Sequence, residues 1–87
     1  MERRIGIITV LVFNTKHINE LNSLLSSYSD LILARLGLPL KDKKVNLITL
    51  VIELNTDDLG ALTGKIGKIS GVKVKSMLTE FKFEHGV

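Results

Sequence analysis

The apolar residues of this chain follow a pattern that repeats after 41 positions, so that Asn14 in the first half corresponds to Asn55 in the second. After each asparagine, apolar residues recur at intervals of three and four. They are Ile18, Leu21, Leu25 and Tyr28 in the first half, and Leu59, Leu62, Ile66 and Ile69 in the second. This spacing predicts one helix with a single apolar stripe in each half.

Runs rich in Ile, Val and Leu surround both predicted helices and indicate four strands, at about residues 4–13, 31–38, 45–54 and 72–79. The polar segment 39–44 has the composition of a hairpin connection between the middle two. With right-handed crossovers, the order βαββαβ predicts an α+β, ferredoxin-like sandwich, in which a four-stranded antiparallel sheet carries both helices on one face. We expect residues 1–87 to form one small domain.

The predicted helices begin after Asn14 and Asn55, and asparagine is a preferred N-cap residue. Phe13 and Leu54 precede these caps and can act as hydrophobic staples, which would point both side chains toward the helices. Because side chains alternate along a strand, this interpretation puts another set on the uncovered face. That set is Ile8, Val10, Val12, Ile32, Ala34, Leu36, Leu47 and Val51.

An apolar sheet face of this size exceeds what a monomer normally leaves in water. A second copy of the chain is the simplest cover, so we predict that these residues form the interface of a homodimer or homotetramer. The alternative is that strand twist or the segment 81–83 hides the face. An adaptor function, in which another protein covers the face and no ligand is involved, is also open.

The second predicted helix differs from the first in its glycines, Gly60, Gly64, Gly67 and Gly71. Because an internal glycine costs a helix about 1 kcal/mol relative to alanine, some close contact should offset it. That contact is either tight packing within the chain or a ligand near the helix N-terminus, where free amides favour an anion. The candidate ligand-binding residues are Asn55, Thr56, Asp58, Gly60, Gly64 and Arg35.

Composition argues against most kinds of chemistry. The absence of cysteine excludes disulfides, thiolate metal sites and cysteine nucleophiles. His17 and His85 stand at no diagnostic metal spacing, and no Ser/His/Asp set is evident. The segment 60–65 has three residues between its glycines, where a phosphate loop needs four. We therefore expect no catalytic residues, no metal and no cofactor.

Partners other than a second copy are also limited. A net charge of +3 spread over scattered lysines is typical of a solvated surface. With 5% aromatic residues, the predicted sheet lacks the stacking platform of RNA-recognition modules, so direct nucleic-acid binding is not expected. The chain has no apolar run long enough to span a membrane and no signal-peptide pattern. A cytoplasmic location without membrane contact is the expectation.

Three segments carry a resemblance to a known family: residues 32–39 (ILARLGLP), 55–67 (NTDDLGALTGKIG) and 69–75 (ISGVKVK). Together they resemble the family of putative iron-only hydrogenase system regulators. More distantly, residues 58–62 (DLGAL) are similar to the turn at which ACT regulatory domains begin their first helix, where ligands often bind across subunits. The resemblance implies an ACT-like fold that associates through its sheets, similar to the sensor half of the nickel-responsive repressor.

The chain departs from that repressor in lacking its His and Cys metal ligands, and it has no ribbon-helix-helix or helix-turn-helix segment to contact DNA. The resulting hypothesis is a non-enzymatic, oligomeric regulatory or small-molecule-sensing domain, with a small anionic metabolite as ligand. Its regulatory role, in an iron-only hydrogenase system, comes from the resemblance alone.

Overall fold

A computed structural model describes residues 2–83 of the chain. The elements follow in the order β1 (Arg3–Val12), α1 (Ile18–Ser26), β2 (Ile32–Leu40), β3 (Val45–Leu54), α2 (Thr56–Gly67) and β4 (Val72–Phe83). Single 3-10 turns precede α1 and β2 and join β2 to β3. All pairings in the sheet are antiparallel, and the strand order is β2-β3-β1-β4. The ferredoxin-like α+β fold is confirmed.

The core lies between the sheet and the two helices. From the predicted helix stripes, Leu21, Leu25, Leu62 and Ile66 are fully buried, as the periodicity indicates. The sheet contributes the even-numbered residues of its two central strands, Ile8, Val10, Val12, Ile48, Leu50, Ile52 and Leu54. The aliphatic composition is therefore sufficient to fill the space between the two layers.

The predicted orientation of β1 is wrong. Ile8, Val10 and Val12 were expected on the uncovered face, but they are at most 1% exposed and pack against the helices. Pairing with β3 explains this, because Ile8 lies opposite Leu50, and residues directly opposite each other share a face.

The two asparagine turns, which the sequence repeat makes look equivalent, differ in structure. Asn55 caps α2 directly, since its Oδ1 accepts a hydrogen bond from the Asp58 amide at 2.8 Å. Asn14 instead caps a 3-10 turn, accepting from the Lys16 amide at 2.9 Å, and α1 begins only at Ile18. Because this extra turn separates Phe13 from the start of α1, Phe13 does not act as a hydrophobic staple, and its side chain is 48% exposed.

The predicted orientation of Ile32 is also wrong, for a different reason. The register of β2 against β3 shifts between Ile32 and Ala34, so Ile32 lies opposite the buried Ile52. Ala34 lies opposite Val51 and points to the other face. An irregularity of one residue reverses the facing of a side chain, and Ile32 accordingly packs against the core.

The segment 81–83 does not fold over the sheet. It forms the last part of β4, where Phe83 lies opposite Arg3 of β1. The rings of Phe81 and Phe83 pack edge to face with centroids 5.5 Å apart, and Phe81 is 60% exposed. This strand end therefore extends the sheet and leaves β2 and β3 uncovered.

Gly71 connects the turn before β4 to the end of β1 through backbone hydrogen bonds. Its carbonyl accepts hydrogen bonds from the amides of Phe13 at 2.7 Å and Asn14 at 3.3 Å. Its φ of +79° is one that side chains rarely adopt, and a Cβ there would lie 2.7 Å from the Asn14 Cβ.

We expect Gly71→Ala to lower the free energy of unfolding by about 2 kcal/mol, through backbone strain and this clash. Urea unfolding followed by circular dichroism measures the change. Gly37→Ala is the matched control, because a Cβ at Gly37 meets nothing within 4 Å. Equal stability of the two variants would contradict the role assigned to Gly71.

Candidate functional site

The sheet face opposite the helices, here called the open face, carries mainly aliphatic side chains. Strand pairing aligns Ala34, Val51, Ile7 and Met77 in one row across all four strands. The apolar members of the open face are Ile5, Ile7, Leu11, Ala34, Leu36, Leu38, Leu40, Val45, Leu47, Val51 and Met77. No element of the described chain, residues 2–83, packs over them.

The apolar patch is concentrated on one side of the open face. On edge strand β2, Leu36 is 60% exposed, which is unusual for a leucine in a regular strand. On the opposite edge, β4 presents Lys73 and Lys75 beside the patch. The Lys73 ammonium lies 5.5 Å from the centre of the Phe13 ring, a cation–π contact. The patch therefore extends over β2, β3 and β1 and is bordered by cations at β4.

The structure changes the set of residues that could form an interface. Four of the predicted residues, Ala34, Leu36, Leu47 and Val51, lie on the open face, while Ile8, Val10, Val12 and Ile32 belong to the core. Sequence reasoning missed seven residues of this face, which are Ile5, Ile7, Leu11, Leu38, Leu40, Val45 and Met77. Leu38 shares the alternation of Leu36 and could have been found, whereas the residues of β1 required the strand register.

The predicted ligand-binding residues are only partly brought together. Asn55 and Thr56 line a cavity of about 210 Å³ with Arg4, which the sequence did not indicate, and with Glu2. Asp58, Gly60 and Gly64 are not among its lining residues.

Arg35 lies in a different part of the molecule. It lies opposite Leu50 of β3. Leu50 is five residues from Asn55, which corresponds to a distance of roughly 16 Å along an extended strand. Its guanidinium donates to the Asn22 Oδ1 of α1 at 3.2 Å. The structure therefore does not join Arg35 to the start of α2.

The glycines of α2 face open space. A Cβ at Gly60 or Gly64 would meet nothing within 4 Å, and one at Gly67 would make an ordinary contact with Val74. Tight packing of α2 within the described chain is therefore not the reason for Gly60 and Gly64.

We expect Gly64→Ala to raise the free energy of unfolding of the isolated chain by about 1 kcal/mol, because alanine favours the helix and nothing obstructs its methyl group. Thermal unfolding at fixed protein concentration checks this. The same substitution at Gly71, which has a positive φ, should act in the opposite direction. A destabilised Gly64→Ala variant would mean that a contact made outside the chain requires the glycine.

Other chemistry is sparse in the described part of the chain. Among residues 2–83, no three His, Asp or Glu side chains converge in a way that could hold a metal ion. His17 approaches Glu20 with Nδ1 and Oε2 3.8 Å apart, on the surface of α1, and His85 lies outside the described residues. No helix between residues 2 and 83 combines the length and apolarity needed to cross a bilayer.

The fold and the open face define a small ferredoxin-like domain with an uncovered, mainly aliphatic sheet face. Comparison with known families makes this specific: residues 4–76 match the TM1266-like family, described as "iron-only hydrogenase system regulator, putative", and the chain belongs to it. A comparison with curated proteins found no match.

The solved structures that are similar to this one include the following two proteins. The protein TM1266 of Thermotoga maritima is 39% identical, with a TM-score of 0.85 over 91% of this chain and 100% of that one. A protein of unknown function from Galdieria sulphuraria is 11% identical, with a TM-score of 0.68 over 91% of this chain. The matched region is 46% of the Galdieria protein, and at that identity the likeness shows the fold alone.

Proposed function

We propose that this protein is a non-enzymatic regulatory domain of an iron-only hydrogenase system that acts in the cytoplasm as a homo-oligomer. The family membership supports the regulatory role. The observation that carries the oligomeric part is the open face, which is largely aliphatic on β1, β2 and β3 apart from the paired Thr9 and Thr49 and the Arg3–Glu53 ion pair. Leaving this surface in water would forgo burial worth about 25 cal/mol per Å² of apolar area.

The dimensions of the open face suit a second copy. The face is four strands wide, and its strands are about ten residues long, so its projected area is roughly 700 Å². This area is comparable with the ~800 Å² that each partner buries in a standard interface. Two such faces packed about a two-fold axis would each cover the other. Within residues 2–83, Glu53 is the only acidic residue that strand pairing puts on this face, and its carboxylate is paired with Arg3 at 3.2 Å. Charge repulsion at the centre of such an interface would therefore be small.

The adaptor alternative uses the same surface with a different occupant. If another protein covers the open face, the purified chain should remain monomeric until that protein is added. Sedimentation of the purified chain therefore discriminates between the two functions.

A second candidate function, recognition of a small anionic metabolite, is favoured by the cavity that Arg4 shares with Asn55 and Thr56. The first amides of α2 and the Arg4 guanidinium would attract an anion, while the open surface at Gly60 and Gly64 leaves room beside the helix. Asp57 and Asp58 in the same turn oppose this attraction.

Titration with inorganic phosphate tests this second candidate. We expect Arg4→Gln to abolish binding and Arg35→Gln, which removes the same charge at a remote position, to retain it. Equal losses in the two variants would reject a ligand site at the start of α2.

Native mass spectrometry of protein taken directly from its source cell tests the oligomeric and ligand-binding parts of the proposed function together. One spectrum reports the number of subunits and the mass of any retained ligand. A homodimer or homotetramer is the expected result, and a bare monomer would contradict the proposal.

A further inference from the structure

We propose that a second cleft, between the β1–α1 turn and the β2–β3 hairpin, binds a small organic anion. This cleft has a volume of about 450 Å³, large enough for a metabolite. One wall comes from the turn that contains Asn14 and Thr15, and the other from the hairpin residues Lys41, Lys44 and Asn46. Pairing of Val12 with Asn46 brings the two turns together.

The charge of the cleft is positive. Lys41 and Lys44 line it, and no acidic side chain does. Within residues 2–83, neither ammonium group has a carboxylate within salt-bridge distance. Lys73 adds a third cation nearby, because its ammonium stands over the ring of Phe13, which is part of the cleft wall. An anion entering the cleft would therefore meet cations that form no salt bridge within residues 2–83, although Asp42 lies in the same turn.

The backbone at Lys44 is a separate observation that supports the site. Lys44 has φ 57° and ψ 36°, and it is the only non-glycine residue with positive φ in the described part of the chain. Glycine or asparagine would hold this left-handed conformation at lower cost, by about 1 kcal/mol. A long cationic side chain at a strained position beside a cleft fits a binding role better than a folding role.

The remaining lining defines the ligand class. The Asn14 Oδ1 accepts from the Lys16 amide at 2.9 Å, so the NH₂ group of Asn14 is the part that can donate to a ligand. Phe13 supplies an apolar wall, together with Leu40 and Val45, which belong to the hairpin end of the open face. Cations and amide donors beside an apolar surface suit a phosphate or carboxylate attached to an aromatic or aliphatic portion. This inference goes beyond the proposed function, since it requires neither self-association nor the start of α2.

Phenyl phosphate, which combines both features, is the probe for the test. In a titration followed by ¹H–¹⁵N spectra, we expect saturable shifts confined to the amides of residues 13–15 and 40–46. Lys44→Gln should weaken binding about tenfold, the effect of losing one hydrogen bond to a charged group. Lys43→Gln is the matched control, because Lys43 belongs to the same turn but does not line the cleft, and it should change the affinity less than twofold.

Lys44→Gly separates binding from folding. It should weaken binding as Lys44→Gln does, yet raise the melting temperature by about 4 °C through relief of the left-handed backbone. Benzyl alcohol, which lacks the anionic group, should produce no saturable shifts in the cleft. Equal weakening by the Lys44→Gln and Lys43→Gln variants, or shifts distributed over all lysine-bearing surfaces, would overturn the proposal.

Discussion

Truncation of Ile8 to alanine is expected to lower the free energy of unfolding by about 3 kcal/mol, whereas truncation of its neighbour Ile7 should cost less than about 1 kcal/mol. Ile8 is completely buried between the sheet and the helices, and Ile7 lies on the open face. Chemical denaturation at a protein concentration low enough to keep the chain monomeric measures both values.

This pair tests the orientation of β1 directly, because the two substitutions remove the same atoms from adjacent positions. The orientation expected from the sequence alone predicts the opposite order, with Ile7→Ala as the damaging change. Similar losses in both variants would show that β1 is covered on both faces.

We expect Leu36→Asp to weaken self-association at least a hundredfold, on the order of 3 kcal/mol, because association would bury an unpaired carboxylate. Leu36 is largely exposed on β2, so the isolated chain should keep its fold. Sedimentation equilibrium gives the association constant, and circular dichroism checks the fold. Gly37→Asp is the matched control, because Gly37 lies opposite the core residue Ile48, so a side chain introduced there would be on the helix side of the sheet. Equal weakening by Gly37→Asp would mean that the edge of β2, rather than the open face, mediates association.

The architecture could be predicted from the sequence because it depends on periodicity and order. The stripes at Leu21, Leu25, Leu62 and Ile66 identify both helices, and the Ile, Val and Leu runs identify the strands. Right-handed crossovers then leave few ways to connect these elements. The bounds of β3, residues 45–54, were predicted without error.

Which residues face the helices could not be predicted for every strand. Facing depends on register, and a single additional turn between Asn14 and Ile18 was enough to reverse the assignment for β1. The register shift near Ile32 had the same effect on β2. Neither event leaves a signal in hydrophobic periodicity, since β1 has apolar residues on both of its faces.

The candidate ligand sites depend even more on tertiary structure. Arg35 and Asn55 share an appropriate chemistry, but strand geometry keeps them apart. The cleft near Lys44 forms only because antiparallel pairing brings the β2–β3 hairpin beside Asn14. In the sequence, its lysines are part of an ordinary polar connection.

Sedimentation velocity of the unmodified chain over a range of micromolar concentrations tests the central claim, that the open face is covered by a second copy. If a second copy covers the open face, the sample will contain a species of at least twice the 9.6 kDa chain mass, which dissociates on dilution. A single 9.6 kDa species at every concentration would contradict it.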